Sequence, residues 1–287
     1  MTLDKAAGIP SLLRALAAQT VPPEAFEVAI EGDVPAAEME RHVEHAPRVT
    51  YEHVPHGCRA AYRNRGLART HAPVAVFLAD DFVPAPAWLE HHLRLHERRP
   101  EETAAGIGPG LFTAAFRDDP FMRWLEDSGS LFGVSFTRPD PRRASFFYGA
   151  NVSVKRRLLD RAGPFDERFR HHAWDDYEMG RRLFALGMTV DFLPDASCIH
   201  EHDVTFDERS RAVGRGGESA AVFEQLHPPP HPWRPLVGVS AWRLGLRVAG
   251  ARLRALATGS DAARGALYQA LMDRAFVAGY RRGAADR

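Results

Sequence analysis

Apolar residues recur at two periods along this chain, and the periods alternate. Leu12, Leu13, Leu16 and Ala17 fall at helical spacing within residues 10–19, and Pro22 and Pro23 end that helix. Residues 26–30 read as a short strand ending in Glu31-Gly32-Asp33, residues 36–45 as a helix and 48–54 as an alternating strand. Residues 57–70 read as a helix carrying Arg59, Arg63, Arg65 and Arg69. The run VAVFL at 74–78 predicts a buried strand that delivers Ala79-Asp80-Asp81 at its carboxyl end, and Pro84 and Pro86 open a helix over 87–98. Residues 106–112, the alternating Val152 and Val154, and 188–192 read as further strands; residues 118–136 are helix or loop. A basic helix follows Val154, and another spans 174–186, ended by Gly187. A helix over 209–225 is weakened in its middle by Gly214, Gly216 and Gly217.

Strands alternating with helices predict an α/β, Rossmann-like fold on a mostly parallel sheet flanked by helices. Ligands in such sheets sit beyond the carboxyl ends of strands, where Asp80, Asp81 and Asp33 are expected. Residues 1–226 read as one domain, 227–235 as a proline linker and 236–287 as a basic helical appendage. In that appendage Val239, Trp242, Leu246, Ala249, Leu253 and Leu256 form a helical seam flanked by Arg243, Arg247 and Arg254. The seam can dock on the body, the commonest fate of such a stripe, pair with a second subunit, or lie on an anionic membrane surface.

Charge sharpens the division. From His227 onward ten arginines face three acids, although the whole chain balances 37 basic against 37 acidic residues. A neutral-to-acidic body with a basic tail argues against nucleic acid as the partner of the whole protein. Two cysteines, Cys58 and Cys198, without CxxC spacing, argue against a zinc or disulfide framework and suit a reducing cytosol. No apolar run approaches membrane-spanning length and no signal peptide is read, so a cytoplasmic location is expected, including the inner face of the plasma membrane.

Residues 146–178 organise the candidate chemistry. Gly149-Ala150-Asn151 precedes the Val152/Val154 alternation, Gly163-Pro164-Phe165-Asp166 breaks the chain, and Trp174, Asp175, Asp176 and Glu178 open a helix, whose N-terminus stabilises anions. These segments, with the basic run ending Arg63-Asn64-Arg65-Gly66 and with Asp80-Asp81, resemble in order the motifs of the family-2 glycosyltransferases of GT-A fold over residues 12–225. The resemblance implies transfer of a sugar from a nucleotide-sugar donor to a saccharide or lipid-linked acceptor, in cell-envelope or extracellular polysaccharide synthesis. It also implies a Mn2+ or Mg2+ cofactor. Two departures stand out: Ala79 occupies a position where the family commonly has a third acid, and the family's first apolar strand is missing before the first helix, which implies either a late start codon or a sheet that has lost a strand and binds less well, with Thr2-Leu3 as its remnant.

On this reading Asp81 contacts the metal, and Asp80 faces the ribose or a metal-bound water. His200 or His202 completes the metal shell, because an H-x-H pair on a strand shares one face. Asp176 is the general base, its pKa raised by Asp175 and Glu178. Arg63 and Arg215 are phosphate partners and Asp33 lies at the nucleotide. Gly149, Ala150, Asn151, Trp174, Asp175 and Glu178 form the acceptor side. His91 and His92 are read as surface or loop residues. Two other functions compete: a catalytically impaired nucleotide-sugar-binding or scaffold protein, and a metal-dependent phosphohydrolase using the same aspartates.

Overall fold

The computed structural model describes residues 8–43, 48–131, 147–170, 173–227 and 231–285. They fall into two compact units. The described residues of Met1–Thr113, Phe132–Glu167 and Asp175–His202 form the first; those of Ala114–Leu131, Arg168–Trp174 and Asp203–Arg287 form the second.

In the first unit the expected order holds: α1 (Ile9–Ala17), β1 (Val28–Gly32), α2 (Ala36–Val43), β2 (Val49–His53), α3 (Arg59–Arg69), β3 (Val74–Leu78), β4 (Phe82–Pro84) and α4 (Trp88–Arg98). The expected strand at 106–112 is two strands, β5 (Ala104–Ile107) and β6 (Gly110–Phe112), in different sheets. Pro109 lies at the break, where a residue without an N–H cannot continue a ladder. The unit is completed by β7 (Asn151–Lys155), α6 (Arg156–Ala162), α7 (Asp175–Ala185), β8 (Thr189–Phe192) and β9 (Cys198–His200), with α5 (Pro120–Ser128) belonging to the second unit.

The sheets are mixed rather than mostly parallel. The order is β3-β7-β5-β8 in the largest, β4-β9-β6 in a second and β1-β2 in a third. β1 and β2, β5 and β8, and β6 and β9 run parallel, whereas β7 is antiparallel to both β3 and β5 and β4 is antiparallel to β9. The chain leaves the first unit after β6 and returns to β7 from the second unit. β7 is therefore not the end of a helical crossover, and the rule that forces parallel neighbours does not bind it. Among the described residues no ladder joins β1 to β3; Thr2 and Leu3 lie outside the described residues.

Alternation along the strands builds a core on each face of the large sheet. Val76 and Leu78 of β3 join Ile9, Leu12 and Leu13 of α1 and Trp88, Leu89 and Leu95 of α4. Ala75 and Phe77 point the other way and join Val152 and Val154 of β7, Leu158 and Leu159 of α6, and Met179 and Leu183 of α7.

The second unit is helical: α5, α8 (Phe206–Leu226), α9 (Arg234–Val237), α10 (Ala241–Thr258) and α11 (Asp261–Ala285). α8 opens with a capping box between Thr205 and Glu208 and runs unbroken through its glycines. The glycines serve close packing. A Cβ on Gly217 would stand 2.1 Å from the Phe276 carbonyl oxygen, and one on Gly279 would stand 1.8 Å from that of Gly214. α8, expected with the first domain, thus packs on α11. The expected proline linker is folded back as well: His231 and Trp233 are buried, their rings stacked at 4.7 Å, and Trp233 donates to Glu224 over 2.9 Å. Residues 228–230 of that stretch lie outside the described residues. No described helix is long and apolar enough to cross a membrane.

Candidate active site

Asp80 and Asp81 occupy the tight turn between β3 and β4, as the strand reading required. Hydrogen bonds fix the turn: Ala79 donates its N–H to the Ala150 carbonyl over 3.0 Å, and Glu201 donates to the Asp81 carbonyl over 3.3 Å. Phe82 faces His200 across the β4–β9 ladder. That register brings His200 Nε2 to 3.1 Å from Oδ2 of Asp81. The imidazole is buried, with Phe82 and Phe112 edge-on at 5.7 and 5.5 Å. His202 lies beyond the strand end, its ring centroid 6.0 Å from that of His200.

Oxygen and nitrogen donors from Asp81 and His200 therefore converge. The set fits Mn2+ or Mg2+, which take one or two protein donors and fill the rest of the shell from phosphate and water. Among the described residues no three His, Cys, Asp or Glu side chains form a metal-binding group.

The second half of the site is the start of α7. Asp176 Oδ2 accepts the N–H of Gly149 over 3.2 Å. Its neighbour Asp175 is buried in an ion pair with Arg63. The Arg63 guanidinium also lies 5.3 Å from the Phe165 ring, and a Cβ on Gly149 would stand 2.2 Å from its Nη2. Arg63, expected on phosphate, is thus packed under Gly149 as the partner of Asp175. Ala150 supplies the carbonyl that holds Ala79.

Asn151 points away from this surface, as strand alternation dictates. Fully buried, its Oδ1 accepts from Trp88 Nε1 over 2.8 Å and lies 3.0 Å from His92 Nε2, while its Nδ2 donates to the Ala196 carbonyl over 2.8 Å. Ser153, two residues on, meets His92 Nδ1 and His96 Nε2, both at 2.9 Å. His92 is a core residue rather than the surface residue expected, and burial pushes both imidazoles down to about 4. The network ties β7 to α4 behind the Asp80–Asp81 turn.

Glu178, expected beside the acceptor, instead makes a bidentate pair with Arg182, whose guanidinium also donates to the Pro164 carbonyl over 2.9 Å. It clamps the Gly163-Pro164 turn. Ala173 and Trp174 precede α7 with left-handed φ values of 80° and 78°, a conformation disfavoured for side-chain-bearing residues. Trp174 belongs to the second unit, where its Nε1 donates to the Gly216 carbonyl over 2.7 Å. There it lines a cavity of about 340 Å³ together with Trp233, Met272 and Phe276. Arg215 is exposed on α8. Asp33 is exposed at the carboxyl end of β1, beside a bend that Tyr51 fixes by donating to the Gly32 carbonyl over 3.1 Å.

Electrostatics single out a residue that the sequence reading passed over. Burial, then the charge of Asp81, raises Asp80 to about 6, against the pull of Arg59. Burial also pushes Asp81 upward, but the His200 hydrogen bond and charge, with Arg59, hold it below the usual carboxylate value. Asp176 is raised by burial and then by Asp175, and lowered in part by Arg63, the Gly149 N–H and Arg59. Glu178, expected to help raise it, is engaged by Arg182. The Arg59 charge thus acts on Asp80, Asp81 and Asp176 together. Its only sequence signal was a position one helical turn before Arg63.

Residues 91–212 match the family model described as glycosyl transferase family group 2. The chain is 28% identical over 171 residues to the pre-mycofactocin glycosyltransferase of Mycobacterium tuberculosis, covering 59% of this chain and 35% of that one. It is 24% identical over 185 residues to the chondroitin synthase of Escherichia coli, covering 54% and 26% respectively. The matches thus span about a third or less of these relatives' length. Among solved structures, the mannosyltransferase PcManGT from Pyrobaculum calidifontis, in complex with GDP-Man and Mn2+, superposes with a TM-score of 0.64 at 19% identity over 99% of this chain and 85% of that one. S. aureus TarS 1-349 in complex with UDP-GlcNAc gives 0.52 at 14% identity over 96% and 88%. The fold is GT-A, and in its motif order, in the family model matched by residues 91–212 and in these relatives the chain is similar to the family-2 glycosyltransferases.

Proposed function

We propose that this chain transfers a sugar from a nucleoside-diphosphate sugar to an acceptor hydroxyl, with inversion at the anomeric carbon. The observation that supports the reading is that adjacent residues tie the two carboxylate pairs together: Gly149 donates its N–H to Asp176, and the Ala150 carbonyl accepts from Ala79 at the head of the Asp80–Asp81 turn. Asp176 takes the proton of the acceptor hydroxyl as its oxygen attacks the anomeric carbon. The bond from that carbon to the diphosphate oxygen breaks, and its electron pair leaves with the nucleoside diphosphate. Arg59, whose charge acts on Asp80 and Asp81, offsets the charge that develops on the leaving group. A divalent cation held by Asp81 and His200 supplies further Lewis-acid stabilisation there when bound. Arg63 and Asp175 keep the start of α7 in register with Gly149.

Relatives that include a chondroitin synthase support a saccharide acceptor in polysaccharide assembly. Incubation with UDP-, GDP- and dTDP-sugars, Mn2+ and oligosaccharide acceptors, following nucleoside diphosphate release and a glycosylated product, tests the reading. One donor should give acceptor-dependent release that Asp81→Ala and Asp176→Asn abolish. Tight metal-dependent donor binding without turnover would favour a binding role. Acceptor-independent release of free phosphate or nucleotide would favour a phosphohydrolase.

A further inference from the structure

The apolar stripe on α10 does not pack as its spacing suggested. The helix docks through Leu244, Val248 and Ala251, while Trp242, Leu246, Leu253 and Leu256 are 63, 62, 68 and 77% exposed. At 3.6 residues per turn these four fall within an arc of about 80°, on the side opposite the docked residues. Arg243, Arg247 and Arg254 line one flank of the stripe and Arg252 the other, and α10 contains no acid. Among the described residues none of these arginines makes an ion pair, although the Arg243 guanidinium lies 5.3 Å over the Trp242 ring.

We propose that this face of α10 lies on an anionic phospholipid surface. A helix lying in the bilayer interface needs an apolar stripe to enter the acyl boundary, a tryptophan at headgroup depth, and flanking cations that reach back to lipid phosphates. α10 has all three. Charge decides against a second copy of this chain. A two-fold contact would set each stripe against itself and bring the arginine flanks of both copies together, with no carboxylate on the helix to neutralise them. Anionic headgroups supply the missing charge.

The proposal is independent of the transfer reaction and is tested without it. The full chain is floated with vesicles of phosphatidylcholine alone and of phosphatidylcholine with phosphatidylglycerol. Binding should require the anionic lipid and fall with added salt. Combining Arg243→Gln, Arg247→Gln and Arg254→Gln should weaken it about tenfold or more. Combining Trp242→Ser, Leu246→Ser and Leu253→Ser should abolish it; these side chains are exposed, so circular dichroism should be unchanged. Three outcomes would overturn the proposal: no binding to anionic vesicles at low salt, binding that survives the serine variant, or a dimer of the wild-type chain that the serine variant dissociates.

Discussion

Gly149 donates its backbone N–H to Oδ2 of Asp176 over 3.2 Å, linking the entry to β7 with the first turn of α7. The absent Cβ of Gly149 leaves the space that Arg63 fills on its way to Asp175. One glycine thus orients the proposed base and admits the cation that balances its neighbour.

Asp176→Asn keeps the size of the side chain and removes the base. Sugar transfer should fall by about 10²–10⁴-fold while donor binding is retained. The raised pKa of Asp176 fixes the pH behaviour. In the wild type the rate should rise with pH as Asp176 loses its proton, with a midpoint above the ordinary carboxylate value of 3.8. A group raised on folding contributes stability at low pH that is lost as pH rises through its folded value. The asparagine variant should therefore melt higher than the wild type at neutral pH. Equal turnover in the variant would remove Asp176 from the reaction.

Arg59 and Arg63 sit one turn apart on α3 and should fail differently. Arg59→Gln should leave the fold intact and weaken nucleoside diphosphate binding by about tenfold, the loss of one charge-assisted contact. It should also move the acid limb of the rate profile upward, because Arg59 holds the Asp176 pKa down. Arg63→Gln strands the buried Asp175 and should cost about 3–5 kcal/mol of stability. Thermal melts and calorimetric titration of the two variants separate these outcomes; matching profiles would refute the division.

Much of this was written locally. The β3 run ends at Leu78 as read, because five apolar residues followed by Ala79 and two aspartates need no distant partner to specify a strand and a turn. What the sequence could not declare were choices made by partners far along the chain. Alternation says that Asn151 and Val152 face opposite ways, but only the pairing of β7 between β3 and β5 says that Asn151 faces α4. His92 reads as a surface residue until Ser153, 61 positions later, is brought to it. α10 carries an apolar face on both sides, and its periodicity highlighted the larger one. Small, closely packed residues, Val248 and Ala251 with Leu244, took the docked side.

Glu31 should make stability depend on pH near neutrality. It is buried on β1, paired with Arg69 at 2.9 Å, and burial raises it to about 7 from an ordinary 4.5. The folded state therefore holds this proton more tightly than the unfolded chain. That contribution is complete below 4.5 and lost as pH rises through 7. Glu31→Gln removes the titration and can still accept from Arg69. Its stability relative to wild type should increase between pH 5 and 8, by up to about 2–3 kcal/mol at roughly 1.4 kcal/mol per pKa unit. Denaturant melts of both proteins at several pH values give the difference directly; a constant difference across that window would show that Glu31 does not titrate there.

The glycines of the helical unit predict effects of opposite sign. In an ordinary helix Gly→Ala stabilises by about 1 kcal/mol, because alanine loses less backbone entropy on folding. Gly250 of α10 has open space around its missing Cβ, so Gly250→Ala should raise the melting temperature. Gly279 of α11 has the Gly214 carbonyl oxygen 1.8 Å from where a Cβ would stand, and Gly283 has that of Glu218 at 2.8 Å. These obstacles are backbone, which cannot turn aside as a side chain can. Gly279→Ala must push α11 from α8, and overpacking of this kind costs about 1–3 kcal/mol. It should lower the melting temperature despite the better helix propensity of alanine. Thermal unfolding of the two single variants reads both signs, and a Gly279→Ala protein as stable as wild type would mean that the α8–α11 contact is looser than described.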